Sequence, residues 1–335
     1  MKRLLGGLFA VACFTSLAAP VSADTYSIEG ASAASLTGIV PQTLAQYTAK
    51  EGVDLQVVLG QTLTKSALKV AAKKLDLAVV PPPAFAAMKR GAGPYAGQAE
   101  QAKKLSQNVR TLFGFPGGTF QAIAWADGDV QTWEDIKGKR IYIGPPAGAA
   151  GPQIVNLIKV ASGYEEGKDY EGIKAPWGAA QQSFQDGQFD VYVAAAAIGQ
   201  QTLTELSLQR EIVILGVPEE IVESPAWQTY LEDYAVDTAT IPAGTYSGQA
   251  NGDQALKTAV TTMMVATNTD LPDEAAYEIT KAYWQNIDEM KAGNALLRQI
   301  DPNRPFAGVN APLHPGALRY YREAGIEVPE RLIAN

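Results

Sequence analysis

Cysteine and histidine are almost absent from this chain, with one of each in 335 residues. The cysteine, Cys13, lies in an N-terminal leader, so the chain beyond it has no disulfide, thiolate nucleophile or cysteine metal site. A lone histidine, His314, cannot build a zinc site without a second His or a Cys. No G-x-S-x-G elbow offers it a serine to activate, so His314 is read as a structural group fixing the start of the last helix. Basic charge is also in deficit: 27 Lys and Arg stand against 35 Asp and Glu, for a net charge of −8. That balance argues against a nucleic-acid partner, whose binding draws mainly on neutralised phosphates. After the leader no segment approaches 18 uninterrupted apolar residues, so no membrane-spanning helix is expected there.

The leader itself reads as a secretory signal over residues 1–23. Lys2 and Arg3 open it, Leu4 to Ala19 form an apolar run, and Val21-Ser22-Ala23 is an A-x-A-like cleavage site. A periplasmic protein is expected, with acylation at Cys13 after Val11-Ala12 as the alternative. Cleavage after Ala23 leaves 312 residues carrying 25 basic and 35 acidic side chains. Such a length exceeds a typical domain of about 100–200 residues and predicts two lobes.

Strands alternate with helices from the start of the mature chain. Tyr26 to Gly30, Leu55 to Leu59 and Leu75 to Val80 read as strands, with helices over Leu36–Lys50 and Lys65–Lys74 between them. Pro81-Pro82-Pro83 stops the third strand. Arg110 to Ala126 is long and extended, broken by Pro116-Gly117-Gly118, and suits a crossing between lobes. The alternation then restarts with Arg140–Ile143, a helix over Gly151–Ser162, a strand end at Ile173–Ala175, a helix over Ala179–Asp186 and a strand over Phe189–Ala194. Ala239 to Gln249 is a candidate return crossing, and Met263 to Thr267 would rejoin the first sheet. The expected architecture is α/β: a signal at 1–23, lobe I over 24–118 and 245–335, and lobe II over 119–244. Ligands in such sheets sit beyond the carboxyl ends of the strands.

Gly138 to Gly151 is the segment richest in information. A turn, a short buried strand and a small-residue loop open a helix, an arrangement that aims backbone N–H groups at an anion. It has neither the Gly-Lys-Ser/Thr end of a P-loop nor the spacing G-x-G-x-x-G, so a nucleotide is not expected. A tight turn needing only backbone room is the competing reading. Trp177 either closes over a small ligand or packs between helices. Gln61, Thr62 and Thr64 offer polar groups at a helix start, where Thr62 or Thr64 could equally be a plain N-cap. The adjacent pairs Glu165-Glu166 and Glu219-Glu220 read as solvated surface, and Asp127-Gly128-Asp129 lacks the spaced ligands of a calcium loop. No catalytic constellation, metal set or cofactor is indicated.

Asp135-Ile136-Lys137-Gly138-Lys139-Arg140-Ile141-Tyr142-Ile143-Gly144-Pro145-Pro146 resembles the corresponding segment of TAXI-type solute receptors of TRAP transporters. Similar motifs follow in the same order: Asp186 to Asp190, Ile241 to Tyr246, Asp270 to Lys281, and the tail Pro312 to Glu323. The resemblance implies a type II periplasmic-binding-protein fold, two α/β lobes joined by two crossing strands, closing on a small organic anion. It implies delivery to TRAP membrane permease subunits by a receptor that is monomeric and not an enzyme. Carried over by position, the ligand-binding residues are Gly30, Ala31, Ser32, Ser35, Gln61, Thr62, Thr64, Pro81, Thr119, Gln121, Ala147, Gly148, Ala149, Trp177, Ala195 and Ala197. Where relatives carry Ser-Gly-Thr this chain has Gly148-Ala149-Ala150, and Ala194 to Ala197 is an alanine run. Loss of those hydroxyls predicts an organic acid less polar than glutamate. The alternatives are an ABC-type receptor for a pyrimidine or sulfonate, a periplasmic sensory module and, furthest from the residues, a periplasmic enzyme.

Overall fold

The computed structural model describes residues 24–146 and 150–334; the leader with Cys13, and Ala147, Gly148 and Ala149, lie outside the described residues. β1 (Asp24–Glu29), β2 (Val53–Val58) and β3 (Leu77–Val80) alternate with α1 (Leu36–Thr48) and α2 (Leu63–Ala71). β1 pairs in parallel with both β2 and β3, which sets Ile28 opposite Val57 and Leu77. In α1 the spacing of Leu36, Val40 and Leu44 puts all three in the core. The prolines that stop β3 also open α3 (Pro82–Arg90), because their fixed φ suits a first helical turn. α4 (Ala99–Ser106) follows, in a stretch to which sequence periodicity assigned no element.

β4 (Val109–Trp125) is the expected crossing, 17 residues long. Leu112, Phe113 and Phe115 belong to the first core; Phe120, Ala122 and Ala124 belong to a second, and Ile123 to a third. One strand thus serves three cores, the last two lying on opposite faces of the second sheet. That sheet adds β5 (Arg140–Tyr142), β6 (Glu171–Ile173), β7 (Val191–Ala196) and β8 (Ile212–Ile214). Its helices are α5 (Ala150–Ser162), α6 (Trp177–Gln185), α7 (Gln201–Gln209), α8 (Glu219–Val222) and α9 (Pro225–Tyr234).

The return crossing is not where the sequence placed it. Val236 to Ile241 form β9, which pairs antiparallel with the start of β10 (Leu256–Asn268). Tyr246, from the expected crossing, is buried in the third core beside Phe184 and Tyr192. β10 makes the return: residues 256–261 pair with β9, and 264–267 pair with β3. Its first half carries little strand signal in the sequence because threonine and lysine interrupt its apolar residues. The hydroxyls are satisfied within the sheet, Thr258 donating to the Phe120 carbonyl (2.6 Å) and Thr262 to that of Ala235 (2.9 Å). The path through the sheet runs β2-β1-β3-β10-β4-β7-β5-β6, with β8 on β4 and β9 on β10.

α10 (Asp273–Gln285), α11 (Ile287–Gly293) and α12 (Pro315–Glu323) complete the chain on the first core. His314 is the N-cap of α12, its Nδ1 accepting the Gly316 N–H at 3.2 Å. Burial pushes its pKa below the ordinary histidine value, opposed by the Asp273 carboxylate 3.7 Å away. The unfolded chain therefore binds this proton more readily than the folded one. Stability should be complete above about pH 6.5 and fall as acid approaches the folded pKa, by at most about 1.4 kcal/mol per pH unit. Urea midpoints at pH 7 and 5.5 should show that slope, and His314→Asn, which keeps an acceptor for the cap, should flatten it. An unchanged slope would assign the loss to carboxylates instead.

Candidate functional site

The parallel strands of both lobes end toward the gap between them. In the first lobe, Gly30 N–H donates to Val58, Gly60 N–H to Ala31 and Gln61 N–H to Gly30, at 2.9, 2.9 and 3.0 Å. The loops after β1 and β2 are thereby one hydrogen-bonded unit. Ser35 is the N-cap residue of α1 without a side-chain cap bond; its hydroxyl donates to the Ser32 carbonyl (2.9 Å) and lies 2.7 Å from that of Thr37. Thr62 stands at the N-cap of α2, also without a side-chain cap. The Gln61 side chain turns back to the Leu59 carbonyl, and Thr64 gives its own carbonyl to the Tyr95 hydroxyl. Pro81 precedes α3. Glu29, at the end of β1, is buried, with its carboxylate taking Ser66 Oγ and Lys69 Nζ, each at 2.6 Å. Its charge is compensated before it reaches the loop.

In the second lobe the motifs carrying the family resemblance prove largely structural. Asp135 accepts the backbone N–H groups of Gln131 and Thr132, which hold its carboxyl below the usual range. Asp190 binds Arg140 through its backbone N–H and its guanidinium; burial opposes the charge on Asp190, but these bonds prevail and its pKa is lowered. Gly144 accepts from Ala175 N–H, and Tyr142 donates its hydroxyl to the Ala175 carbonyl at 2.9 Å. Trp177, the first residue of α6, is 40% exposed and meets the Tyr142 ring edge-on at 5.6 Å. Ala195 lies at the end of β7 and Ala197 just beyond it, and a Cβ on Gly118 of the crossing strand would lie 2.8 Å from the Ala195 carbonyl. Among the described residues, no hydrogen bond or ion pair joins the loops at 30–35, 61–64 and 81 to those at 144–146, 177 and 195–197.

The two polar residues predicted on the crossing strand are both buried. Gln121 donates to the Ala196 carbonyl and accepts the Tyr246 hydroxyl at 2.6 Å. Burial raises the pKa of Tyr246 to about 12, so it remains a neutral donor. Thr119 Oγ1 has no hydrogen-bond partner, a situation that destabilises by about 1–3 kcal/mol. Thr119 lines a cavity of about 260 Å³ walled by both lobes, together with Asp237, Gln299 and Arg304. Those three carried no signal in the sequence: Arg304 sits in Asp301-Pro302-Asn303-Arg304-Pro305, which reads only as a turn. No group of three or more His, Cys, Asp or Glu placed to hold a metal occurs among the described residues. Nor is any described helix long and apolar enough to cross a membrane.

Two α/β lobes on one path of strands, exchanging two long crossings, are the architecture of two-lobed periplasmic binding proteins. A putative periplasmic sulfonate-binding protein of an ABC transporter from Methylobacillus flagellatus shares it at 13% identity and a TM-score of 0.50, over 90% of this chain and 86% of that one. The chain belongs to the NMT1-like family, whose model matches residues 42–325. Other structural matches include a TRAP periplasmic solute-binding protein from Pseudomonas aeruginosa with bound L-malate, at 11% identity and TM-score 0.45 over 82% and 87% of the two chains. A TRAP solute-binding protein from Rhodobacter sphaeroides matches at 14% identity and 0.48, over 82% and 81%.

Proposed function

We propose that this protein is an extracytoplasmic receptor that captures a small organic acid between its lobes and delivers it to a TRAP-type membrane permease. The observation carrying this reading is the division of the chain into separate cores spanned by β4 and β10, with the loops of both sheets ending at the gap. A solute touching both lobes favours the arrangement that offers both sets of contacts, and shifts the population toward it by its differential affinity. The ordered motifs shared with TAXI-type receptors support the TRAP assignment, as the leader over 1–23 supports export. Alanine in place of loop hydroxyls favours an acid less polar than glutamate.

Thermal-shift measurements against monocarboxylates, glutamate and alkanesulfonates test this. A monocarboxylate present at 100 times its Kd should stabilise the protein by about 2.7 kcal/mol. Preference for glutamate over every monocarboxylate would overturn the ligand class. The sulfonate receptor that shares the fold gives a second reading, favoured if ethanesulfonate binds more tightly than every carboxylate.

A further inference from the structure

Charge is divided unevenly between the lobes. Residues 119–244 carry 18 acidic and 7 basic side chains, which makes the second lobe more acidic than the whole chain at −8. In the first lobe residues 63–110 reverse the sign, with nine Lys and Arg against only Asp76 and Glu100. That stretch contains α2, α3 and α4.

Packing gathers the three helices into one surface. The Tyr95 hydroxyl donates to the Thr64 carbonyl at the start of α2, and Asn108 Nδ2 to the Ala71 carbonyl at its end, both at 2.9 Å. α4 lies between Tyr95 and Asn108 in sequence and so runs alongside α2. A Cβ on Gly91 would lie 2.8 Å from Ala99, so the end of α3 abuts the start of α4. Val70, Phe85 and Ala102 take the inner sides. Lys65, Lys74, Lys89, Arg90 and Lys104 are exposed, and no ion pair engages any of the five among the described residues. Lys69, Lys73 and Lys103 are paired with Glu29, Asp270 and Glu100.

Cations suit the last turn of a helix, but the dipole does not demand them, since α6, α7 and α9 of the second lobe have none there. The surface is also unlike a protein interface, whose centre is rich in aromatics and Arg and poor in Lys. Seven of its nine cations are lysine. Among the described residues the exposed large apolar side chains are Val58, Trp177 and Leu208, all outside residues 63–110. Compact ammonium charges on flexible stems, with no apolar anchor, suit a diffuse layer of phosphates.

We propose that the α2–α3–α4 face of the first lobe is a docking surface for an anionic phospholipid bilayer. Clusters of about four to eight Lys and Arg are enough to hold a protein at such a surface. At about 0.1 M salt the screening length is about 10 Å, so a bilayer against this face feels mainly the cations nearest to it. The opposite charges of the lobes set the orientation, with the first lobe on the surface and the acidic lobe away from it. For a receptor read as delivering solute to a membrane permease, such docking confines the search to the plane of the membrane.

Flotation of the mature protein with vesicles tests this, comparing phosphatidylglycerol–phosphatidylcholine mixtures with phosphatidylcholine alone. The protein should bind only the anionic vesicles, and should leave them at about 1 M salt, where the screening length falls to about 3 Å. Each cation at the surface is worth about a fivefold change in partition. The triple variant Lys74→Gln, Lys89→Gln, Lys104→Gln should therefore bind about a hundredfold more weakly, with its melting temperature kept. Lys137→Gln, Lys168→Gln and Lys174→Gln together remove the same charge from exposed sites on the second lobe, and should leave binding unchanged. The proposal is overturned if the parent protein binds both kinds of vesicle equally or neither, or if the first triple variant binds like the parent. Binding to native membranes but not to pure lipid would also overturn it, in favour of a protein partner. None of these outcomes touches the receptor reading, because solute capture between the lobes is measured separately.

Discussion

Replacing Phe113 by alanine should destabilise the protein by about 3–5 kcal/mol. The ring is fully buried on β4, stacked on Tyr283 at a centroid distance of 3.8 Å and met edge-on by Trp284 at 6.1 Å. Truncation removes the transfer energy of the ring, leaves a cavity and breaks aromatic contacts worth about 0.5–1.5 kcal/mol beyond their area. Phe113 also faces Val265 across the β4–β10 ladder, so the cavity opens where the two crossing strands are held together. Urea unfolding followed by near-UV dichroism would measure the loss. A change below about 1 kcal/mol would show that the first core is not organised around this strand.

Gly30→Val should cost about 1–3 kcal/mol in stability and weaken solute binding tenfold or more. A Cβ at Gly30 would lie 2.5 Å from the Thr37 carbonyl oxygen and 3.2 Å from both Leu59 and Pro41. The first contact is with backbone at the start of α1, which cannot swing aside as a side chain can. The loop must move instead, and the Gly30 bonds to Val58 and Gln61 carry the loop after β2 with it. Urea unfolding and calorimetric titration together separate the two consequences. A variant with weakened binding and a stability loss within this range supports a loop that forms part of the site. A destabilised variant that still binds like the parent would remove the 30–35 loop from it.

The α/β alternation was legible because strands such as Leu77–Val80, stopped by Pro81, are short apolar runs, and helices such as α1 carry a buried stripe, here Leu36, Val40 and Leu44. The first crossing was legible for a similar reason, since no loop of 17 residues reads as Val109 to Trp125 does. The return was not. Lys257, Thr258, Thr261 and Thr262 look like a polar surface, and only the hydrogen bonds of the three threonines to carbonyls of neighbouring segments make them the interior of β10. His314 shows the opposite case, where elimination of every catalytic partner left the capping role that the structure contains.

For the site, the sequence by itself determined where the strand-end loops fall and how few hydroxyls they carry, because loop positions and composition are local properties. It also determined that no cysteine chemistry follows the leader. Only the tertiary structure decided that the Thr119 hydroxyl is buried without a partner, and that Asp237 and Arg304, far apart in sequence, form an ion pair in the wall of a cavity. A side chain's unmet hydrogen bond depends on everything packed around it. The meeting of two lobes depends on the register of β4 against β10, which no single segment contains.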